Sequence, residues 1–174
     1  MKHSRAPIFV LLIMMFSSAS FSEWKFVRVF PNTDLRGQSG VHGIAVDPDG
    51  KVWVQVYNST DSIFDGTVYR KVKPIFVFNP DGTPALFSGF KTISFGSVAE
   101  TLFAVPRTHR GLRADHQGNI LISFQDILYK VNYQTGAGIA RTNPVPGQTL
   151  TAPAVTSAGE IFTAQVNGGN PIKI

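Results

Sequence analysis

Residues 43 to 54 have the sequence GIAVDPDGKVWV, and residues 111 to 122 have the sequence GLRADHQGNILI. Both contain a Gly, three strand-forming residues, an Asp, two turn residues, a second Gly and an apolar run. A weaker copy, APAVTSAGEIFT, occupies residues 152 to 163. The chain therefore repeats one strand–turn–strand unit three times.

The middle of each unit is a tight turn. An Asp at the first turn position accepts hydrogen bonds from the turn backbone, and the closing Gly adopts the positive φ that the turn requires. A further turn of this kind, NPDG, occupies residues 79 to 82. The flanking runs alternate apolar and polar residues, and no long stretch has helical spacing. The sequence therefore predicts an all-β fold.

The spacing of the turn glycines predicts the size of the repeating unit. Gly50, Gly118 and Gly159 are 68 and 41 residues apart, and one four-stranded propeller blade takes about 40 to 45 residues. We therefore predict blade units over residues 43–87, 111–142 and 152–174, with residues 83–87 as the fourth strand of the first unit. The longer spacing predicts insertions at residues 58–73 and within residues 88–109, and loops of this length are often functional.

These repeats resemble a known family. GIAVDPDGKVWV followed by IFVFNPDGTPALFSGF is similar to an NHL-type repeat, and so is GLRADHQGNILIS with LYKVNYQTG. The resemblance covers most of residues 40 to 174 and implies the NHL-repeat and gluconolactonase-like group of six-bladed, TolB-like β-propellers. It implies four-stranded antiparallel blades, of which this chain has about three. The repeated residues are turn and packing residues, so they imply a fold more strongly than a function.

About three blades leave strand edges and blade faces that neighbouring blades would cover. Two explanations are open. The sequence is part of a longer propeller, which we favour, or it assembles with another copy or another chain. In both cases the open arc predicts exposed apolar surface and self-association of the isolated chain.

Residues 1–22 have the order of a secretory signal peptide. Lys2 and Arg5 precede nine apolar residues, and small residues follow with cleavage expected near Ala19 or Ser22. The apolar run is shorter than the about 20 residues of a membrane-spanning helix. We therefore expect a secreted or periplasmic domain over residues 23–174 with no transmembrane segment after cleavage.

The charge pattern excludes one class of binding partner, and the absence of Cys indicates what stabilises the fold. The formal net charge of +5 comes from scattered bases, with one loose cluster at Arg70, Lys71 and Lys73 that is typical of a solvated edge. The sequence therefore predicts no nucleic-acid partner, and leaves an unidentified protein or small molecule. Because the chain has no Cys, its stability must come from a packed core.

The candidate binding residues follow from the alignment of the turn glycines. In propellers the first strand of each blade lines the central channel. The alignment places His42, Arg110 and Thr151 in equivalent positions near the channel mouth, with His109 one residue before Arg110. Such a set could bind an anion or a metal. The alternative is that these are rim residues with local hydrogen bonds.

The sequence gives no catalytic residue, metal ligand or cofactor. The acidic residues of the repeats belong to turns, no His pair has the spacing of a zinc-binding helix, and there is no G-x-S-x-G motif. We predict an exported binding or scaffold module that acts through its blade loops and central channel. The alternative that the resemblance implies is a metal-dependent lactonase or related hydrolase. It would need a divalent cation such as calcium, and part of its Glu, Asp and Asn ligand set would be missing from this chain.

Overall fold

The computed structural model describes residues 25–31, 35, 38–166 and 168–174, and within these ranges every regular element is a β-strand. The predicted all-β fold is therefore confirmed. The predicted signal peptide at residues 1–22 lies outside the described residues. In the part of the chain that is described, no helix is long and apolar enough to span a bilayer.

The strands form three larger antiparallel sheets and two hairpins. In chain order they are β1 (Gln38–Val46), β2 (Val52–Ser59), β3 (Ser62–Phe64), β4 (Tyr69–Lys71), β5 (Ile75–Phe78), β6 (Thr92–Phe95), β7 (Val98–Thr101), β8 (His109–Ala114), β9 (Ile120–Phe124), β10 (Ile127–Val131), β11 (Gly138–Arg141), β12 (Leu150–Val155), β13 (Ile161–Gln165) and β14 (Ile172–Lys173). Sheet 1 has the order β1-β2-β5, sheet 2 the order β11-β10-β9-β8 and sheet 3 the order β12-β13-β14. The two predicted insertions contain the hairpins β3-β4 and β6-β7.

Sheet 1 has three strands where the sequence predicted four. Residues 83–85 pair with the end of β5 through a bridge between Phe78 and Pro84 and through backbone hydrogen bonds at Thr83 and Ala85, both of 2.8 Å, but the chain turns after Ala85, so the strand predicted over residues 83–87 is reduced to this short pairing. Phe87 turns inward to pack on Trp53 with ring centroids 5.6 Å apart. Sheet 2 has its four predicted strands, and β14 pairs with β13 as expected.

The two predicted turns that run from Asp to Gly have the expected chemistry. Asp47 Oδ1 accepts hydrogen bonds from two backbone N–H groups of its own turn at 3.0 and 2.9 Å. Gly50 and Gly118 have φ angles of 76° and 82°. Asp47 also has a role that the sequence did not indicate, because its Oδ2 accepts the buried indole N–H of Trp53 at 2.9 Å.

The three sheets pack face to face in chain order. The core between sheets 1 and 2 is lined by Trp53, Ile75, Val77, Ile120, Ile122 and Phe124 together with Ile93 and Leu102 from the second insertion. The opposite face of sheet 2 packs on sheet 3 through Leu121, Leu128 and Leu150. The outer face of sheet 1 is covered by Phe30 and Leu35. The second insertion is therefore part of the core.

The first strands of the three sheets, β1, β8 and β12, lie side by side. A Cβ on Gly43 would lie 2.7 Å from the backbone N of Leu112, and a Cβ on Gly111 would lie 2.5 Å from the Cα of Ala152. Residues in equivalent positions are thus neighbours in space, and the three strands begin at the same end of the molecule. We call this end the mouth. Because β2 is antiparallel to β1, it ends at the mouth, and the first insertion starts there.

Candidate functional site

Four side chains meet at the mouth: His42 on β1, Tyr57 on β2, Lys73 just before β5 and Arg110 on β8. The ring of Tyr57 is their common contact. The His42 ring lies on it with centroids 4.6 Å apart, Lys73 Nζ is 4.7 Å from its centroid and Arg110 Cζ is 5.6 Å from it. Cations are attracted to the face of an aromatic ring. We call these four residues the mouth cluster.

Lys73 reaches the mouth because the two insertions pair with each other. Its backbone N–H donates to the carbonyl of Leu102 at 2.9 Å, and the N–H of Ala104 donates to the carbonyl of Lys71 at 2.8 Å. This short ladder carries the chain from the β3-β4 hairpin back toward sheet 1. The insertions therefore place a lysine beside residues of β1, β2 and β8.

Lys73 is almost fully buried, with 8% of the residue exposed, so the prediction that it belongs to a solvated edge was wrong. Its ammonium donates to the carbonyl of Tyr57 and to Thr108 Oγ1, the latter at 2.8 Å. Among the described residues no carboxylate lies within salt-bridge distance of Lys73. Burial, and then the charge of Arg110, lower the pKa of Lys73 below its ordinary value.

Arg110 adds a second cation with free hydrogen-bonding capacity. Its Nε is buried and has no partner among the described residues. No described carboxylate forms an ion pair with its guanidinium either. An unpaired buried donor costs about 1–3 kcal/mol, more when it is charged. The mouth cluster therefore has two adjacent cations whose charge the described residues do not balance.

His109 lies beneath the mouth cluster and is fully buried. Its ring packs edge-on against Phe124 with centroids 4.9 Å apart, and neither ring nitrogen has a hydrogen bond of good geometry. Burial, and then the charge of Lys73, lower the pKa of His109 to about 3. His109 is therefore neutral at physiological pH and does not reach solvent at the mouth.

Thr151 is placed differently from the other predicted residues. Its carbonyl oxygen accepts hydrogen bonds from Ser123 Oγ at 2.6 Å and from Thr163 Oγ1 at 2.9 Å. The bond from Ser123 joins sheet 2 to sheet 3, and the bond from Thr163 lies within sheet 3. Of the predicted site residues, His42 and Arg110 therefore belong to one cluster, and His109 lies below it. Thr151 contributes its backbone carbonyl, which helps to join sheets 2 and 3.

The sequence analysis missed Tyr57 and Lys73. Tyr57 ends the alternating run of β2 and has the pattern of a packing residue, and Lys73 lies in an insertion that has no counterpart in the other repeats. The one available signal was the cluster of bases at residues 70–73. This insertion begins at the blade end where the channel opens. A cluster of bases there indicates a binding site rather than a solvent-exposed edge.

The described residues contain no group of three or more His, Cys, Asp or Glu side chains that could hold a metal ion. The Asp residues of the turns are used by the turns, as Asp47 and Asp115 each accept backbone hydrogen bonds there. The chemistry of the mouth cluster is instead that of an anion site: an ammonium, a guanidinium and an imidazole around one ring. Lysine and arginine provide the N–H donors that recognise carboxylate and phosphate oxygens.

Comparison with known proteins identifies the fold. No protein-family model and no curated protein matches the chain. The chain is similar to virginiamycin B lyase from Staphylococcus aureus, at 18% identity and a TM-score of 0.50 over 78% of this chain and 38% of that one. A catalytically inactive form of that lyase with quinupristin gives 18% identity and a TM-score of 0.51 over 80% and 39%. A putative gluconolactonase gives 16% identity and a TM-score of 0.47 over 75% and 42%.

Consecutive antiparallel sheets with adjacent first strands are blades of a β-propeller. The chain has the propeller fold, and the part of it that matches spans less than half the length of these proteins. Sheets 1, 2 and 3 are called blades below. At these identities the likeness is one of fold alone, so the site must be interpreted from its own residues.

Proposed function

We propose that the chain is an exported β-propeller module of the NHL type that binds an anionic ligand at the mouth of its channel. It is a binding module in this proposal, and the mouth cluster is its recognition site. Export rests on the sequence of residues 1–22, and the NHL type rests on the repeated turn pattern.

One observation carries the proposal: Lys73 is buried beside Arg110, and no described carboxylate is paired with either. Burying a charge without a partner is costly, and proteins avoid it unless the charge has a use. The two cations also repel each other. An anion bound between them would offset both the cost of burying an unpaired charge and this repulsion. His42 can add a third donor, since it is exposed at the same ring.

The recognition chemistry is that of a carboxylate or a phosphate. The Arg110 guanidinium is not paired with a described carboxylate, and hydrogen bonds that involve a charged group contribute about 1.5–3 kcal/mol each. The Lys73 ammonium has a third N–H beyond the two that donate to Tyr57 and Thr108.

The experiment measures the binding of inorganic phosphate and of citrate to the mature chain by calorimetry. Lys73→Met keeps an unbranched side chain that is one atom shorter and removes its charge, and Arg110→Gln removes the guanidinium. Each is expected to weaken binding about tenfold or more, because each removes a charge-assisted hydrogen bond. The matched control is Lys71→Met, since Lys71 is exposed two residues away.

Parent-like phosphate and citrate binding in both Lys73→Met and Arg110→Gln would contradict the proposal. An equal loss of affinity in these variants and in Lys71→Met would also contradict it, because that result would show a general effect of net charge. Thermal unfolding of each variant checks that it is folded. The metal-dependent hydrolase stays an alternative prediction, and no feature of the described residues favours it.

A further inference from the structure

A second cavity opens where the two insertions meet blade 2. It has a volume of about 250 Å³. Its walls come from both hairpins and from the blade, and the residues that matter to its chemistry are Arg70, Glu100, Phe103, Arg107, Phe124 and Tyr129. We call it the hairpin pocket. None of the four mouth-cluster residues lines this pocket, so the pocket is separate from the mouth cluster.

Most charged groups of the hairpin pocket are already paired. Tyr129 donates its hydroxyl to Glu100 Oε2 at 3.0 Å, and Glu100 also pairs with Arg141. Arg107 donates to both carboxylate oxygens of Asp126, at 2.6 and 3.2 Å. These pairs fix the wall of the pocket.

Arg70 is the least tightly paired of these groups. Its guanidinium carbon lies 3.9 Å from the ring centroid of Phe103, which holds the group flat against the aromatic ring. Its ion pair with Asp65 is long, at 3.7 Å, and its side chain is 44% exposed. Stacking of this kind orders a guanidinium while its N–H donors stay free at the edge. Arg70 thus presents a pre-oriented set of donors at the rim of the pocket.

Beside these polar groups the lining has an apolar part. Phe103, Val105, Phe124 and Ile127 supply its hydrocarbon surface. A site that combines a charged anchor whose donors are free with an apolar surface selects a ligand with one charged end and an apolar body. The volume sets the size of that ligand at a few carbon atoms or one ring.

We propose that the hairpin pocket binds a small carboxylate with an apolar or aromatic body. The carboxylate accepts hydrogen bonds from the free edge of the Arg70 guanidinium, and the body packs on the apolar surface. The site is independent of the anion site at the mouth and would exist in a chain in which the mouth binds nothing.

The test compares benzoate with benzamide, which has the same shape and no charge. Titration of the isotopically labelled mature chain is followed by amide and arginine side-chain NMR signals. Benzoate is expected to bind about tenfold or more tightly than benzamide, because a hydrogen bond to a charged group is the stronger one. The signals of Arg70 Nε and of the amides of Phe103 and Tyr129 are expected to shift.

Arg70→Gln is expected to weaken benzoate binding about tenfold or more and to leave benzamide binding unchanged. The matched control is Arg113→Gln, since Arg113 is an exposed residue of β8 outside the pocket. Because the mouth is also proposed to bind carboxylates, binding at the pocket is measured from the amides of Phe103 and Tyr129, and Arg110→Gln is expected to leave the benzoate dependence of these two signals unchanged.

Three results would overturn the proposal. The first is equal affinity for benzoate and benzamide, and the second is unchanged benzoate affinity in Arg70→Gln. The third is a loss of benzoate binding in Arg110→Gln but not in Arg70→Gln, which would place the carboxylate at the mouth. The amide spectrum of Arg70→Gln shows whether it is folded, and Phe103→Leu, which removes the stacking partner, repeats the test if it is not.

Discussion

Gly111 of blade 2 passes so close to Ala152 of blade 3 that a Cβ on Gly111 would lie 2.5 Å from the Ala152 Cα. The contact joins residues that occupy equivalent positions in two repeats. Neither backbone can move away easily, because each belongs to a first strand that is paired on its other side. Only a residue without a Cβ fits this position.

Gly111→Ala should therefore destabilise the chain. Forcing extra atoms into a packed region costs about 1–3 kcal/mol, and we expect a value in the upper part of that range because the neighbour is backbone. Urea unfolding gives the free energy. The control is Gly96→Ala, which has the backbone strain of a φ of 61° but whose added Cβ would contact nothing within 4 Å, so the further cost at Gly111 measures the close approach. An equal decrease in the free energy of unfolding for the two substitutions would contradict the close approach of blades 2 and 3.

The turn glycines offer a second test. Gly118 has φ of 82° and Gly159 has φ of 85°, so a side chain at either costs about 1–2 kcal/mol through backbone strain. At Gly118 a Cβ would also lie 2.2 Å from Pro48 of the neighbouring blade, whereas at Gly159 the nearest atom is 4.0 Å away. Gly118→Ala should thus lower the free energy of unfolding more than Gly159→Ala. The reverse order would contradict the packing of blade 1 on blade 2.

The sequence predicted these turns because their chemistry is local. An Asp, two turn residues and a Gly form the same structure wherever the flanking strands can pair, so the alignment of Gly50, Gly118 and Gly159 also identified neighbouring positions on the first strands. The shortening of the strand predicted over residues 83–87 is also local, since a turn that starts at Ala85 ends its pairing with β5. Lys73 could not be placed, because its position depends on pairing between residues that are about 30 apart in the chain.

Asp47 and Asp115 begin equivalent turns but differ in one contact. Asp47 accepts the indole N–H of Trp53, a residue that is fully buried, whereas Asp115 pairs with Lys130 at 2.7 Å. Asp47→Ala leaves a buried donor without a partner, at a cost of about 1–3 kcal/mol beyond the loss of turn bonds. We expect Asp47→Ala to be the more destabilising of the two alanine substitutions in urea unfolding. A larger effect at Asp115 would contradict the buried Trp53 bond.

His109 should make the fold sensitive to acid. Burial holds its pKa at about 3 in the folded chain, below the ordinary value of 6.5. Because the pKa is lowered on folding, the contribution of His109 to the free energy of unfolding is fully present above about pH 6.5. It is lost as the pH falls toward 3. Lys73 is the charged group that faces it.

The measurement for His109 is urea unfolding at pH 7 and pH 5. Between pH 7 and pH 5 the free energy of unfolding of the parent should fall by about 2 kcal/mol through His109 alone. The fall is about 1.4 kcal/mol for each pH unit below the pKa of the unfolded state. In His109→Leu this part of the loss should be absent. His116→Leu is the control, because His116 is exposed. An equal pH dependence in His109→Leu and the parent would show that His109 titrates normally.

The central claim is that Lys73 and Arg110 form an anion site, and the pKa of the Lys73 ammonium tests it most directly. It can be followed by the NMR signal of the lysine side-chain carbon beside Nζ as the pH is raised, with and without phosphate. Without phosphate, burial and Arg110 should hold the pKa of Lys73 below the ordinary 10.5. Saturating phosphate should raise that pKa. A Lys73 pKa of 10.5 or above without phosphate, or one that phosphate leaves unchanged, would contradict the account.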